Sequence, residues 1–112
     1  MVRPKLSFDR KEDRVTAIAD FIRENVSSIE FVGEMRERDV QSAKDVFVTA
    51  SRTEEGGTHW NINGEMSLKY GYDEYGSTLG QRFSFAGSCR MERGNGDVPV
   101  VSDLKLIRID KV

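Results

Sequence analysis

The strictest pattern in the chain is an alternation of apolar and polar residues between residues 60 and 72. One set of alternate positions is apolar or glycine and comprises Trp60, Ile62, Gly64, Met66, Leu68, Tyr70 and Tyr72. The positions between them in residues 61–69 are polar and comprise Asn61, Asn63, Glu65, Ser67 and Lys69. Successive side chains of a β-strand point to opposite faces, so the segment predicts a long strand with one buried face. Such a strand needs neighbours and a cover for that face.

Further segments of the chain show similar alternation. The apolar rows predicted for them are Ile29, Phe31, Gly33 and Met35; Val46, Val48 and Ala50, with Phe47 out of phase; Phe83, Phe85, Gly87, Cys89 and Met91; and Val98, Val100, Leu104 and Leu106. Ile107 and Ile109 fall on the reverse side of the last row. The pattern predicts about five long strands within residues 28–112, separated by Gly-rich turn signals.

The cover is predicted to be a helix at residues 9–25. Asp9 is placed as its N-cap, with Glu12 completing a capping box. One helical face is apolar and comprises Val15, Ile18, Ala19, Ile22 and Val26. We therefore predict an α+β fold in one domain, residues 1–112, with residues 1–8 as a flexible or extended lead-in and one helix on a highly curved antiparallel sheet.

Turn positions predict the strand registers. A Gly94-Asn95 hairpin tip would set Phe85 opposite Leu104 and Met91 opposite Val98. A turn near Tyr75 and Gly76 would set Leu68 opposite Phe83, Met66 opposite Phe85, and Gly64 opposite Gly87. Facing glycines inside adjacent strands mark a sharp bend or the close approach of another element.

The register of the strand at residues 46–53 stays open between two alternatives. A two-residue Gly56-Gly57 turn would put Phe47 on the inward face. A three-residue turn would put Val46 and Val48 there instead.

Composition restricts the function classes. A net charge of −2 in 112 residues disfavours nucleic-acid binding, and the chain has no run of about 18 apolar residues that would span a membrane. A zinc site needs three or four ligands that are mainly His or Cys, and one histidine and one cysteine do not supply them, so we predict no metal site; no cofactor motif is present. The lone Cys89 favours a reducing compartment, either cytoplasm or nucleus.

The passages "DRVTAIADFIRENVSSIEFVGEM", "WNINGEMSLKYGY", "FSFAGSCRMER" and "VVSDLKLIRI" together resemble the nuclear transport factor 2-like superfamily of the cystatin-like superfold. The resemblance is one of shape and alternation and covers most of residues 9–110. It implies a shortened cystatin-like roll, because typical members have two further helices before the one predicted here. It also implies association through the outer face of the sheet.

Two classes of function follow. The first is a non-catalytic binding or protein-interaction module that forms a homodimer, or binds a partner protein, through the outer sheet face. The residues predicted for that interface are Arg82, Val101, Ile107 and Ile109. An apolar surface rimmed by charges is typical of an interface. A small apolar ligand pocket between helix and sheet would be lined by Phe21, Met66, Leu68, Tyr70 and Phe85.

The alternative is a small enzyme similar to the superfamily's isomerases, cyclases or dehydratases, acting by acid–base chemistry on a small apolar substrate. Its candidate catalytic residues are Tyr70, Tyr72, His59 and Asp103. Imidazole titrates near neutral pH and a tyrosine hydroxyl can polarise a carbonyl. The predicted register turns Asp103 outward, opposite Ala86, which weakens this assignment.

Overall fold

The structure is a computed structural model that describes residues 5–31, 40–54, 57–70 and 79–112. Its elements are α1 (Lys11–Asn25), β1 (Glu30–Phe31), β2 (Val40–Arg52), β3 (His59–Tyr70), β4 (Leu79–Arg93) and β5 (Pro99–Lys111). In these ranges the sheet order is β1-β5-β4-β3-β2. Strands β2 to β5 are long and antiparallel, and the two-residue β1 runs parallel to β5. The predicted α+β class, with one N-terminal helix on a curved antiparallel sheet, is confirmed.

Helix α1 covers the inward face of the sheet and packs chiefly against β2 and β5. Ile18, Ala19 and Ile22 are its buried residues, as its apolar stripe predicts. Opposite them lie the inward rows of β3 and β4. The fully buried side chains at the centre of this core are Ile18, Ile22, Ile62, Met66, Leu68, Cys89, Met91 and Leu106.

The helix begins at Lys11, two residues later than predicted, and the capping prediction for Asp9 is wrong. Arg10 occupies the N-cap position without a side-chain capping bond. The Asp9 carboxylate instead accepts hydrogen bonds from Arg93 on β4, at 2.6 and 3.0 Å. Both arrangements are charge-assisted, but the arginine pair is bidentate and joins two opposite charges. The Asp9 carboxylate therefore binds Arg93 instead of capping the helix.

Residues 5–8, which the sequence places in a flexible or extended lead-in, are held against the sheet. Phe8 belongs to the core, and its N–H donates to the Asp97 carbonyl at 2.6 Å. The Phe8 ring contacts the guanidinium groups of Arg52 and Arg93, whose central carbons lie 5.7 and 4.9 Å from its centre. Such cation–π contacts add to the burial of the ring.

The predicted β3–β4 register is wrong by two residues. Met66 lies opposite Phe83, and Gly64 lies opposite Phe85 rather than Gly87. Because the side-chain period of a strand is two, this shift leaves every residue on its predicted face. The inward rows of both strands are accordingly buried.

The β4–β5 register is also wrong, and here the faces change. Met91 pairs with Val101 instead of Val98, and Phe85 pairs with Ile109 instead of Leu104. A short helical turn at Asn95–Asp97 makes the connection longer than a two-residue hairpin. Two register shifts within β5 then each add one residue to that strand. The residues of β5 that pack inward are Pro99, Val101, Leu104, Leu106 and Ile109.

Strand β2 follows the second of the two predicted alternatives for its faces. Val48 is buried and Val46 packs against the core, whereas Phe47 is 71% exposed. Arg52 pairs with Trp60, so this face assignment is reached with a connection longer than three residues. The out-of-phase aromatic residue therefore belongs to the outer face.

Matching irregularities on β2 and β5 flank the central β3–β4 pair. Asp45 and Asp103 both have left-handed backbones, with φ of 51° and 50°, at positions where the ladder shifts by one residue. Aspartate tolerates this conformation better than most residues, and an extra residue of this kind bends a strand. The two outer strands thus bend at corresponding places.

Each bend places a backbone carbonyl of the outer strand against a glycine of the neighbouring strand. The carbonyls are those of Phe47 and Lys105, two residues after Asp45 and Asp103. A Cβ at Gly64 would overlap the Phe47 carbonyl oxygen and lie 2.8 Å from its carbon. A Cβ at Gly87 would overlap the Lys105 carbonyl oxygen. The predicted close approach at these glycines is confirmed, but it comes from the two outer strands, and the glycines do not face each other.

Candidate functional site

In the part of the chain that the structure describes, no hydrogen bond or ion pair joins the candidate catalytic residues, and strand β4 separates His59 on β3 from Asp103 on β5. His59 is exposed at the first position of β3, and Tyr70 ends the same strand. Eleven residues of extended chain separate them by about 36 Å. The Tyr70 side chain and all of Tyr72 lie outside the described residues.

Asp103 is exposed at the β5 bend. Its predicted place opposite Ala86 is wrong, because Arg108 occupies that register position. The bend carries Asp103 between two paired positions, Ser102 and Lys105. It therefore lies on the surface of the sheet and away from the core.

Four of the five residues predicted to line a ligand pocket lie in the core or against it, and the side chain of the fifth, Tyr70, lies outside the described residues. Met66, Leu68 and Phe85 are buried, and Phe21 is half-buried and packs against the core. In the described ranges, no buried side chain belongs to a polar or charged residue. Burial raises the pKa of the Cys89 thiol to about 11, which keeps it protonated and unreactive at neutral pH.

The predicted interface residues divide between the two faces. Ile107 is 57% exposed on the outer face. The assignment of Val101 and Ile109 to that face is wrong, since both are half-buried against the core. The bends of β5 change its alternation and so separate Ile107 from the other two.

Arg82 lies on the outer face, where three neighbours fix its guanidinium. Nε donates to Glu65 at 3.3 Å, and Nη1 donates to Ser67 Oγ and to the Asp45 carbonyl, each at 3.1 Å. The Asp45 carbonyl belongs to the bend of β2. The arginine therefore links β4 to β3 and to the displaced backbone of the edge strand.

A groove of about 460 Å³ crosses the outer face of the sheet at the level of the two bends. It follows two cross-strand rows, which are Phe47–Glu65–Ser84–Asp110 and Thr49–Asn63–Ala86–Arg108. The β4 residues in the middle are small, whereas the β2 and β5 residues at the two sides are mostly larger. Short side chains between long ones produce the depression.

The charges along the groove are largely compensated within the chain. Arg108 Nε lies 2.8 Å from the Asp110 carboxylate, and Arg82 lies 3.3 Å from Glu65. Thr49 donates a hydrogen bond to the Asn63 side-chain carbonyl. The surface thus combines an exposed aromatic ring with paired charges and small polar groups, a composition found in protein–protein interfaces.

Sequence reasoning assigned none of the outward residues of this groove to a site, and Phe47 is among those it missed. The sequence feature that could have identified Phe47 is its place in the alternation of β2, because a large aromatic residue there falls between the core positions Val46 and Val48. A 71% exposed phenylalanine on a sheet face is uncommon for a residue type that prefers burial.

Neither a metal cluster nor a membrane-crossing helix is found within the described ranges. No three His, Cys, Asp or Glu side chains there lie close enough to share a metal ion. No helix there combines the length and the apolar character needed to cross a bilayer.

Comparison of the chain with protein-family models, with curated proteins and with solved structures finds no match.

Proposed function

We propose that this chain is a non-catalytic interaction module that associates with a second copy of itself through the groove on its outer sheet face. The observation that carries the proposal is the exposed Phe47 ring beside a depression floored by Ser84 and Ala86. A projecting ring and a neighbouring hollow on one surface suit a two-fold contact, in which each copy supplies both parts.

The order of strands supports one arrangement of the two copies. A two-fold axis parallel to the strands, above β3 and β4, sets β2 of each copy over β5 of its partner. Such an axis keeps each residue at its level along the strands, so Phe47 lies over Asp110 of the second copy. Arg108 is the ion-pair partner of Asp110, and its guanidinium can attract the aromatic face. Association of sheet faces in this way also agrees with the resemblance to the nuclear transport factor 2-like superfamily, which we retain as part of the proposal.

Sedimentation velocity over a concentration series tests the proposal. We expect reversible self-association, weakened at least tenfold by Phe47→Lys, because it places an unpaired charge in the groove. Ile107→Lys should weaken it less, since Ile107 is exposed beside the groove residue Arg108 but does not itself line the groove. Val100→Lys is the matched control, since Val100 is 49% exposed on β5 but does not line the groove. It should associate like the wild type.

A chain that remains monomeric at the highest concentration contradicts the proposal. Equal weakening by Phe47→Lys and Val100→Lys contradicts it too, because the contact would then not depend on the groove. Circular dichroism of each variant checks that the fold is retained, which we expect because all three positions are exposed.

A further inference from the structure

A second depression on the outer face lies beyond the groove, toward the other end of the β2–β4 strands. It has a volume of about 280 Å³ and is lined by side chains of β2, β3 and β4. We call this surface the basic patch and define it by Ser42, Lys44, Ser67, Lys69, Gln81 and Arg82. Three of these six residues are cationic, and none is acidic.

The strand register brings the three cations together. Lys44 pairs with Ser67, which pairs with Arg82 on its other side, and Lys69 lies two residues from Ser67. Lys69 is a diagonal neighbour of both Lys44 and Arg82, with Cα atoms about 7–8 Å apart, whereas Lys44 and Arg82 lie two strand spacings, or about 9.5 Å, apart. All three long side chains can therefore reach a single small ligand.

Glycine at position 80 contributes to the opening. It pairs with Lys69, and a Cβ built on it would have no neighbouring atom nearer than the Leu68 carbonyl oxygen, at 4.0 Å. This glycine is therefore not required by packing. Its effect is to leave the space beside Lys69 without a side chain.

One guanidinium nitrogen of Arg82 has no hydrogen-bond acceptor in the part of the chain that the structure describes. Nε and Nη1 are engaged by Glu65, Ser67 and Asp45, as described above, whereas Nη2 makes no hydrogen bond within the described ranges. The engaged nitrogens hold the group in one orientation. An arginine fixed in this way loses little entropy when its remaining N–H groups bind a ligand.

Within the described ranges, no acidic side chain compensates the charges of Lys44 and Lys69. Neither Lys44 nor Lys69 forms an ion pair with another residue in the ranges that the structure describes. Like charges on neighbouring positions of a sheet repel each other, and a bound anion removes that repulsion. Ammonium and guanidinium groups only donate hydrogen bonds, so the matching ligand group is one that only accepts them.

We propose that the basic patch binds an oxyanion, either a phosphate or a carboxylate group of a ligand, between Lys44, Lys69 and Arg82. The site belongs to one copy of the chain and does not depend on the association proposed above.

Titration of the ¹⁵N-labelled protein with inorganic phosphate, followed by amide chemical shifts, tests this proposal. We expect saturable shifts confined to the basic patch and the adjacent Gly80, with a dissociation constant on the order of 1–10 mM for an exposed site. The Lys44→Gln/Lys69→Gln double variant should weaken binding at least tenfold. Lys105→Gln is the matched control, because Lys105 is an exposed lysine of β5 outside the patch, and it should change the constant less than twofold.

Acetate at equal ionic strength forms the second arm of the titration. Tighter saturation by phosphate identifies a phosphate-bearing ligand, and tighter saturation by acetate identifies a carboxylate. Shifts that do not saturate with either anion, or that weaken equally in the double variant and in Lys105→Gln, overturn the proposal. The Phe47→Lys variant should bind phosphate like the wild type, so failure of the association leaves this test intact.

Discussion

Replacing Gly64 with alanine adds one methyl group at the point where the bend of β2 crosses β3. The new Cβ would overlap the Phe47 carbonyl oxygen and lie 2.8 Å from the carbonyl carbon and 3.1 Å from the Val48 Cα. All three are backbone atoms, which cannot turn aside as the end of a flexible side chain can. The bend of β2 would have to open to admit the methyl group.

The expected cost follows from two opposing effects. Overpacking by one methyl group costs typically about 1–3 kcal/mol, and contact with backbone on a paired strand favours the upper part of that range. Alanine also restricts the unfolded chain, which returns about 0.4–1 kcal/mol where the native backbone accepts it. We therefore expect a net loss of about 2 kcal/mol in the free energy of unfolding, or a fall in Tm of roughly 8 °C.

Urea denaturation followed by the fluorescence of Trp60, the single tryptophan, measures this loss. Gly80→Ala is the matched control, since its Cβ meets nothing closer than 4.0 Å. It should be neutral or slightly stabilising. If Gly64→Ala unfolds at the same urea concentration as Gly80→Ala, the close approach of β2 to β3 does not constrain the fold, and our account of the bend is wrong.

Two further predictions concern single side chains. Cys89 should react with a thiol reagent at pH 8 about 100-fold more slowly in the folded chain than in the urea-unfolded chain, since its pKa rises from 9.0 to about 11 and only the thiolate reacts; equal rates would show that the thiol is accessible and ionised. Hydrogen bonds from Arg93 lower the pKa of Asp9 below 3.8, so the pair stabilises the fold above that pH and loses its effect as the pH falls through the lower, folded-state value. Arg93→Gln should therefore have a lower urea midpoint than the wild type at pH 7 and a similar one near pH 2. If the midpoints of wild type and variant differ by the same amount at both pH values, Asp9 is not the group whose ionisation makes the pair stabilising.

Much of the architecture could be predicted from local pattern. The apolar stripe of α1 and the alternation of β3 and β4 identify which residues face the core, and Met66 and Phe83 are buried as expected. These assignments survive a register error of two residues, because such a shift changes partners and not faces. The alternation of apolar and polar residues is therefore sufficient to predict which side chains of β3 and β4 are buried.

On the outer strands, β2 and β5, the alternation alone does not predict which side chains face the core. Each bend, at Asp45 and at Asp103, adds one residue and reverses the alternation beyond it. Asp is compatible with a left-handed backbone but does not require one, so its position in the chain does not identify a bend. The error at Val101 arises from the bend at Asp103, and the error at Ile109 arises from the second register shift of β5, between the pairs Gly87–Leu106 and Ala86–Arg108.

The sequence by itself determined the helix, the strands and the inward residues of the central pair, because these depend on periodicities that neighbouring residues carry. Tertiary structure decided the pairing registers, the exposure of Phe47 and the composition of the groove and the basic patch. Those features join residues of three or four strands, and their alignment depends on turn lengths and bends that balance backbone strain against packing across the whole sheet.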